Sequence, residues 1–192
     1  MEQDIAIVIG TSPATLLASQ AIVPIDYDEL EIAGAIGGAP LEVAKCIDSN
    51  IRVPAAAEII LEGKILANTR APEGPFGEFP QYYGERANNH VIRINKVTHR
   101  KRPIFLTIVG GGLEHLLLGA IPRETTILST LQRNFTCVRN VFLTMGGVCH
   151  YHLVIQVEHP KPGEAKNLLM AAFGAHYDIN QSDRRRYRRR YS

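Results

Sequence analysis

Short apolar runs, each closed within a few residues by glycine or proline, constrain this chain more than any other feature. Ile5–Ile9 is closed by Gly10, and Ile104–Val109 by Gly110, Gly111 and Gly112. Runs this short between turn formers have the pattern of buried strands. Val91–Val97 alternates apolar and polar residues, the period-two signature of a half-exposed strand. Leu41–Ile47, Ala57–Leu61, Val138–Thr144 and His152–Val157 are further predicted strands. Helices are fewer. Thr11, Ser12 and Pro13 have the composition of a helix start that continues to Ala18. Asp28–Ile36 is a second predicted helix, ended by Gly37 and Gly38; residues 113–132, with a break at Pro122, and Gly163–Phe173 are two more. Many strands with scattered helices specify an α+β domain with a largely antiparallel, barrel-like sheet. Residues 67–89 hold proline, glycine, asparagine and aromatics without a period. They are expected to form one long loop, and long loops in compact domains usually carry function.

Composition narrows the class. With 192 residues, 45% of them hydrophobic and 21% charged, the chain has enough material for the core of a soluble domain. No apolar run reaches the length of a membrane span, and the acidic start Met1-Glu2-Gln3-Asp4 lacks the basic region of a signal peptide. A cytoplasmic location without a membrane partner is expected. Cys46, Cys137 and Cys149 are odd in number, far apart and free of C-x-x-C spacing. They are expected to be buried small hydrophobes rather than a zinc site or a disulfide framework.

The residues best suited to chemistry are Glu73-Gly74-Pro75-Phe76-Gly77-Glu78. Two carboxylates flank a stiff turn, and the glycines let backbone approach a ligand closely; the competing reading, commoner for such a loop by itself, is a solvated turn. Carboxylates in such unlike surroundings can divide acid and base roles, as protonation of carbon requires. Phe79, Tyr82 and Tyr83 follow at once and are expected to wall an aromatic pocket. Ala18, Ser19, Gln20, Ala21 and Ile22, with Glu29 beyond, form a second candidate. Backbone groups there suit a phosphate or a monovalent cation, and the carboxylate suits a divalent metal; the competing reading is a plain connection and a helix-starting acid. His150 and His152 lie on a predicted strand with both rings on one side, but no third ligand is evident. Gly110–Gly112 lacks both phosphate-loop spacings and is a strand-ending turn.

These residues resemble the UbiD family of prenylated-flavin decarboxylases from about Ile5 to Ile179. The resemblance is carried by Asp28-Glu29-Leu30 with Ala33-Gly34, by Val53-Pro54-Ala55, by Ala57–Gly63, by the acidic loop leading into Tyr82-Tyr83-Gly84, by His99-Arg100 with Arg102-Pro103, and by Pro162–Lys166. Gly112–His115, Leu118–Ala120 and Thr144–Gly147 are most similar to the branch acting on hydroxyarylic acids. The resemblance implies a mostly antiparallel split β-barrel that binds flavin, with peripheral helices. It implies non-oxidative decarboxylation of a 4-hydroxybenzoate- or vanillate-type acid with prenylated FMN. Glu78 would then be the proton donor and Glu73 its partner acid. Glu29 would bind a divalent metal, usually Mn2+, and the segment Ala18, Ser19, Gln20, Ala21 and Ile22 would hold the flavin phosphate and K+. The family has serine or methionine where this chain has Gln20 and Ala21. Implied partners are a small aromatic acid, a flavin prenyltransferase that supplies the cofactor, and further copies of the enzyme.

The family's upstream asparagine, its Tyr-Arg pair and a metal-binding histidine have no counterpart here. The resemblance therefore implies a carboxy-lyase domain over 1–180, incomplete at both ends and inactive alone. Residues 181–192 differ in kind: Arg184, Arg185, Arg186, Arg188, Arg189 and Arg190 crowd the last ten positions, so the formal charge of +2 conceals an acidic body. One permitted coding of Gln181–Ser192, shifted by a base, reads Ser-Arg-Ile-Val-Val-Asp-Ile-Asp-Val-Asp-Ile, which is the family's next strand. The tail is accordingly expected to be out-of-frame. The alternative is a truncated, non-catalytic protein whose arginines and interleaved tyrosines bind nucleic acid or a partner.

Overall fold

Isoleucine and valine favour extended backbone, and three strands rich in them form the main sheet: β1 (Gln3–Ile9), β4 (Ile59–Glu73) and β5 (Ala87–His99), in the order β1-β4-β5 and antiparallel throughout. This computed structural model describes residues 2–176; the arginine-rich tail lies outside them. The β1–β4 ladder runs unbroken from Gln3↔Ile65 to Ile9↔Ile59. Asp4 and Lys64 stand opposite in that register, and the Lys64 ammonium donates to the Asp4 carboxylate at 2.8 Å. The β4–β5 ladder slips twice. Glu62 pairs with Lys96 but Gly63 pairs with Ile94, leaving Asn95 unopposed as a bulge. Only glycine fits at 63, because a Cβ there would lie 2.2 Å from the Arg93 carbonyl oxygen. The second slip, between Ile65 and Arg70, contains Asn68 at φ +53°.

The structure divides into two compact units. The first holds the residues up to Ser19 with Val23–Gly110, and the second Gln20–Ile22 with the residues from Gly111 on. In the first unit, α1 (Pro13–Ala18) and α2 (Glu29–Gly37) pack together. Ser12 caps α1 by accepting from the Thr15 amide, and Asp28 caps α2 by accepting from the Leu30 amide. Gly38 closes α2 in the left-handed region. A short hairpin, β2 (Val43–Lys45) with β3 (Arg52–Pro54), is tied to β4 by Glu62. That carboxylate is 2% exposed and accepts from the amides of Ile47 at 3.0 Å and Asp48 at 2.8 Å.

In the second unit, α3 (Leu113–Gln132) buries Leu116, Ala120, Ile127 and Leu131 against β6 (Val138–Leu143) and α4 (Glu164–Ala175). β6 pairs with β7 (Leu153–Val157), and its buried side chains are Val138, Val141 and Leu143. Glu124 on α3 accepts from the Leu143 amide at 2.7 Å.

The mixed composition and antiparallel pairing agree with the sequence reading. Among the described residues the ladders form three separate sheets rather than a closed barrel. Four local expectations are corrected. The expected loop over 67–89 shrinks to 74–86, because β4 continues to Glu73 and β5 begins at Ala87. Exposed strand ends are held by backbone hydrogen bonds and show no hydrophobic period. Ile104–Val109 is not a strand; Ile104, Phe105 and Val109 are exposed, since apolar content without a pairing edge makes no ladder. Leu41–Ile47 contributes only Val43–Lys45. The helix over 113–132 continues through Pro122, which removes one backbone bond while the apolar stripe on both sides stays buried.

Candidate active site

The acidic segment opens where β4 ends. Glu73 is the last ladder residue, paired with Ala87, and its exposed carboxylate accepts a hydrogen bond from the Asn89 side-chain amide. Gly74 then adopts φ +82°, which no residue with a Cβ takes readily, and a cis Gly74–Pro75 peptide follows. Phe76–Gly84 folds back as a small hairpin. The Gly84 amide donates to the Phe76 carbonyl at 3.0 Å, Gly77 bridges Tyr83, and the Glu78 amide donates to the Tyr82 carbonyl at 3.0 Å. The tip is Phe79–Pro80–Gln81, closed by the Gln81 amide on the Glu78 carbonyl at 2.9 Å with Gln81 at φ +66°.

Glu78 therefore sits at the neck of a turn that holds both its backbone groups. Its side chain is half-buried and lies along Gly84, where a Cβ would be 3.4 Å from Glu78 Cγ and 3.5 Å from Oε1. Nothing lies within 4 Å of a Cβ built on Gly77. The two acids thus occupy the two ends of a structured turn, one at the ladder and one at the hairpin neck. The aromatic wall does not form: Tyr82 and Tyr83 are each 79% exposed, and only Phe79 is half-buried.

The second candidate segment begins at Ala18, the buried last residue of α1. The Ser19 hydroxyl donates to the Leu16 carbonyl at 2.8 Å, and its amide to the Thr15 carbonyl at 3.0 Å. Gln20, Ala21 and Ile22 follow and cluster with the second unit. Glu29 is the exposed first residue of α2. Among the described residues no group of three His, Cys, Asp or Glu is placed to hold a metal ion. One carboxylate, Glu29, is too small a donor set to hold a divalent cation by itself. At the acidic turn the Cβ side of Gly77 is clear, while its carbonyl lies against Gly110, where a Cβ would be 2.9 Å from the Gly77 oxygen.

The two histidines separate. His150 and His152 lie in the tight connection before β7, not on the strand. His150 is buried with Nδ1 2.8 Å from the Val148 carbonyl, whereas exposed His152 shares a 2.9 Å hydrogen bond with the Thr144 hydroxyl. Val148 and Cys149 both take positive φ there, which breaks the strand alternation that the sequence suggested. The three cysteines are buried and free, as expected. Burial pushes each thiol up, helped by Glu62 at Cys46, Glu124 at Cys149 and Glu164 at Cys137.

A groove of about 620 Å³ in the first unit is lined by Asp28, Glu31, Gly34, Pro40 and Arg52, among others, and includes neither Glu73 nor Glu78. Sequence reasoning missed two polar residues, Glu62 and Asn89. No local pattern gives their partners: the β4–β5 register brings Asn89 to Glu73, 16 positions away, and Asp48, 14 positions from Glu62, comes from the connection between β2 and β3.

Residues 1–113 match the family model of the 3-octaprenyl-4-hydroxybenzoate carboxy-lyase Rift-related domain, and residues 116–183 that of the carboxy-lyase C-terminal domain. Anhydromevalonate phosphate decarboxylase of Methanothermobacter thermautotrophicus is 40% identical over 173 residues, covering 90% of this chain and 41% of that protein. An evolved dimeric form of the UbiD-class enzyme HmfF from Pelotomaculum thermopropionicum, solved with prFMN, superposes with TM-score 0.90 at 49% identity, covering 93% of this chain and 42% of that one. The apo 3,4-dihydroxybenzoic acid decarboxylase of Klebsiella pneumoniae superposes with TM-score 0.83 at 27% identity, over 92% of this chain and 39% of its own. The chain thus spans about two fifths of the length of these relatives.

Proposed function

From the premise that this chain belongs to the UbiD family of carboxy-lyases, we propose that it forms the acidic side of a prenylated-flavin decarboxylase site. The observation that carries the proposal is the pair Glu73 and Glu78, one held at the end of the β4–β5 ladder and the other at the neck of the hairpin that follows it. The activity proposed is that of an enzyme of the family's length. Prenylated flavin, when bound, would supply the sink for the electron density left on carbon as carbon dioxide departs. Glu78 donates its proton to that carbon, so the carboxylate of the substrate is replaced by hydrogen, and it regains a proton from solvent. Its half-buried position suits both tasks, because the carboxyl is shielded on the Gly84 side and still reached by water. Glu73, fixed at the ladder end, is the partner acid that orients the donor and the substrate. Ala18, Ser19, Gln20, Ala21 and Ile22, with Glu29, are proposed to lie toward the cofactor phosphate, with K+ and Mn2+ as accompanying ions.

Two substrate readings compete. The 40% identity to an anhydromevalonate phosphate decarboxylase favours that phosphorylated acid. A hydroxyarylic acid of the vanillate or 4-hydroxybenzoate type is the second reading, supported by a 3,4-dihydroxybenzoic acid decarboxylase at 27% identity. A cytoplasmic homo-oligomer loaded by a flavin prenyltransferase completes the proposal. Among the described residues no helix is long and apolar enough to cross a membrane.

The test is a chimera that joins this chain to the remaining segment of the Methanothermobacter relative, co-expressed with a flavin prenyltransferase. Carbon dioxide release and deuterium uptake from D2O are measured with both substrate classes. Glu78→Gln should lower both by roughly 10²–10⁴-fold with flavin retained. Turnover like that of the unsubstituted chimera would refute the proton-donor role.

A further inference from the structure

Glu73 has a partner that no motif announces. In the β4–β5 ladder Ala71 faces Asn89 and Glu73 faces Ala87, so Glu73 and Asn89 are diagonal neighbours on one face of the hairpin end. The other two positions on that face are alanines, and the Asn89 amide nitrogen donates to Glu73 Oε2 across them. The ladder itself does not explain this asparagine. Asparagine is among the poorer strand formers, and an exposed position in β5 would be filled more favourably by a β-branched residue. The chemistry of the amide is specific. A lysine or arginine at 89 would neutralise the acid with a full charge. The asparagine amide instead occupies lone pairs of one oxygen, adds no charge, and leaves Oε1 available to another donor.

We propose that Asn89 is a positioning residue for Glu73: it fixes the carboxylate in one orientation, so that its remaining oxygen faces the reacting groups. The inference rests on the decarboxylase reading of Glu73 and deepens it. Without Asn89 the exposed side chain at the end of β4 rotates freely, and an acid that must orient a partner loses time in unproductive rotamers.

The contact is tested first on the full chain by NMR of the side-chain groups, with no dependence on activity. One Asn89 amide proton should be shifted downfield and exchange slowly, and Glu73→Ala should return it to the values of a free asparagine. Asn89→Ala should move the Glu73 carboxyl carbon resonance while leaving that of Glu78 in place, and Asn89→Gln should restore it in part. Asn89 amide protons that exchange like those of an exposed asparagine, with an unmoved Glu73 resonance, would overturn the proposal. The consequence is then read in the flavin-loaded chimera. Asn89→Ala should lower kcat about tenfold with KM unchanged, Asn89→Asp more, and Asn89→Gln less. Wild-type kcat in Asn89→Ala and Asn89→Asp would also overturn it. Absence of turnover in the unsubstituted chimera would refute the decarboxylase reading instead, and the NMR result would still decide whether Asn89 orients the carboxylate.

Discussion

Replacing Glu62 by alanine removes the group that ties the β2–β3 hairpin to β4. The carboxylate is 2% exposed and accepts from two backbone amides, Ile47 at 3.0 Å and Asp48 at 2.8 Å. A hydrogen bond to a charged group contributes about 1.5–3 kcal/mol, so two such bonds set a ceiling of roughly 3–6 kcal/mol. The ceiling is not reached, because Ile47 is 65% exposed and water takes over part of the lost bonding. The expected loss is about 2–4 kcal/mol. Glu62→Gln keeps one acceptor oxygen and should lose about half as much. With a urea slope of about 2 kcal/mol/M, Glu62→Ala should lower the unfolding midpoint by about 1–2 M at unchanged slope. Urea titration followed by circular dichroism gives that number, and amide exchange at Ile47 and Asp48 gives the local effect. A Glu62→Ala chain within about 0.5 kcal/mol of wild type, or unchanged exchange at the two amides, would refute the clamp.

The bulge predicts a contrast between two glycines. Gly63→Ala places a methyl 2.2 Å from the Arg93 carbonyl oxygen and should cost more than about 2 kcal/mol in urea unfolding, whereas Gly77→Ala meets nothing within 4 Å and should change stability by less than about 0.5 kcal/mol. The buried thiols predict a pH effect. The folded chain holds Cys46, Cys137 and Cys149 protonated above the usual thiol range, so the unfolded chain releases those protons first, and the thiols' contribution to stability should be full below about pH 8.5 and be lost as pH rises through the folded values. Cys46→Ser with Cys149→Ser should flatten that decline, and a decline equally steep in the double variant would assign it elsewhere. Native chains should also react slowly with a thiol reagent at pH 8 and release three equivalents after unfolding.

Much of the fold was legible in local pattern. The strand over Ile5–Ile9, the helix after Ser12, the helix capped by Asp28 and ended by Gly38, and the strands over Val138–Thr144 and His152–Val157 all have local causes: β-branched runs, a side-chain cap, a glycine in the left-handed region. Ile104–Val109 failed because an apolar run does not carry its own pairing edge. The loop over 67–89 was drawn too long because the ends of β4 and β5 are exposed, and exposed ladders are held by backbone bonds that leave no trace in side-chain period.

For the candidate site, the sequence by itself determined the residue types: two carboxylates in six residues of turn-forming chain from Glu73 through Glu78, with glycine where the backbone must turn. Those are properties of residue types at short spacing, and they survive any arrangement of the rest. Tertiary structure decided what each carboxylate does with its hydrogen bonds. Strand register set Asn89 beside Glu73, the folded-back hairpin laid Glu78 along Gly84, and the β2–β3 connection brought the amides of Ile47 and Asp48 to buried Glu62. Such partners lie 14 to 16 residues apart along the chain; the β4–β5 ladder brings Asn89 to Glu73, and the fold of the β2–β3 connection onto β4 brings Ile47 and Asp48 to Glu62.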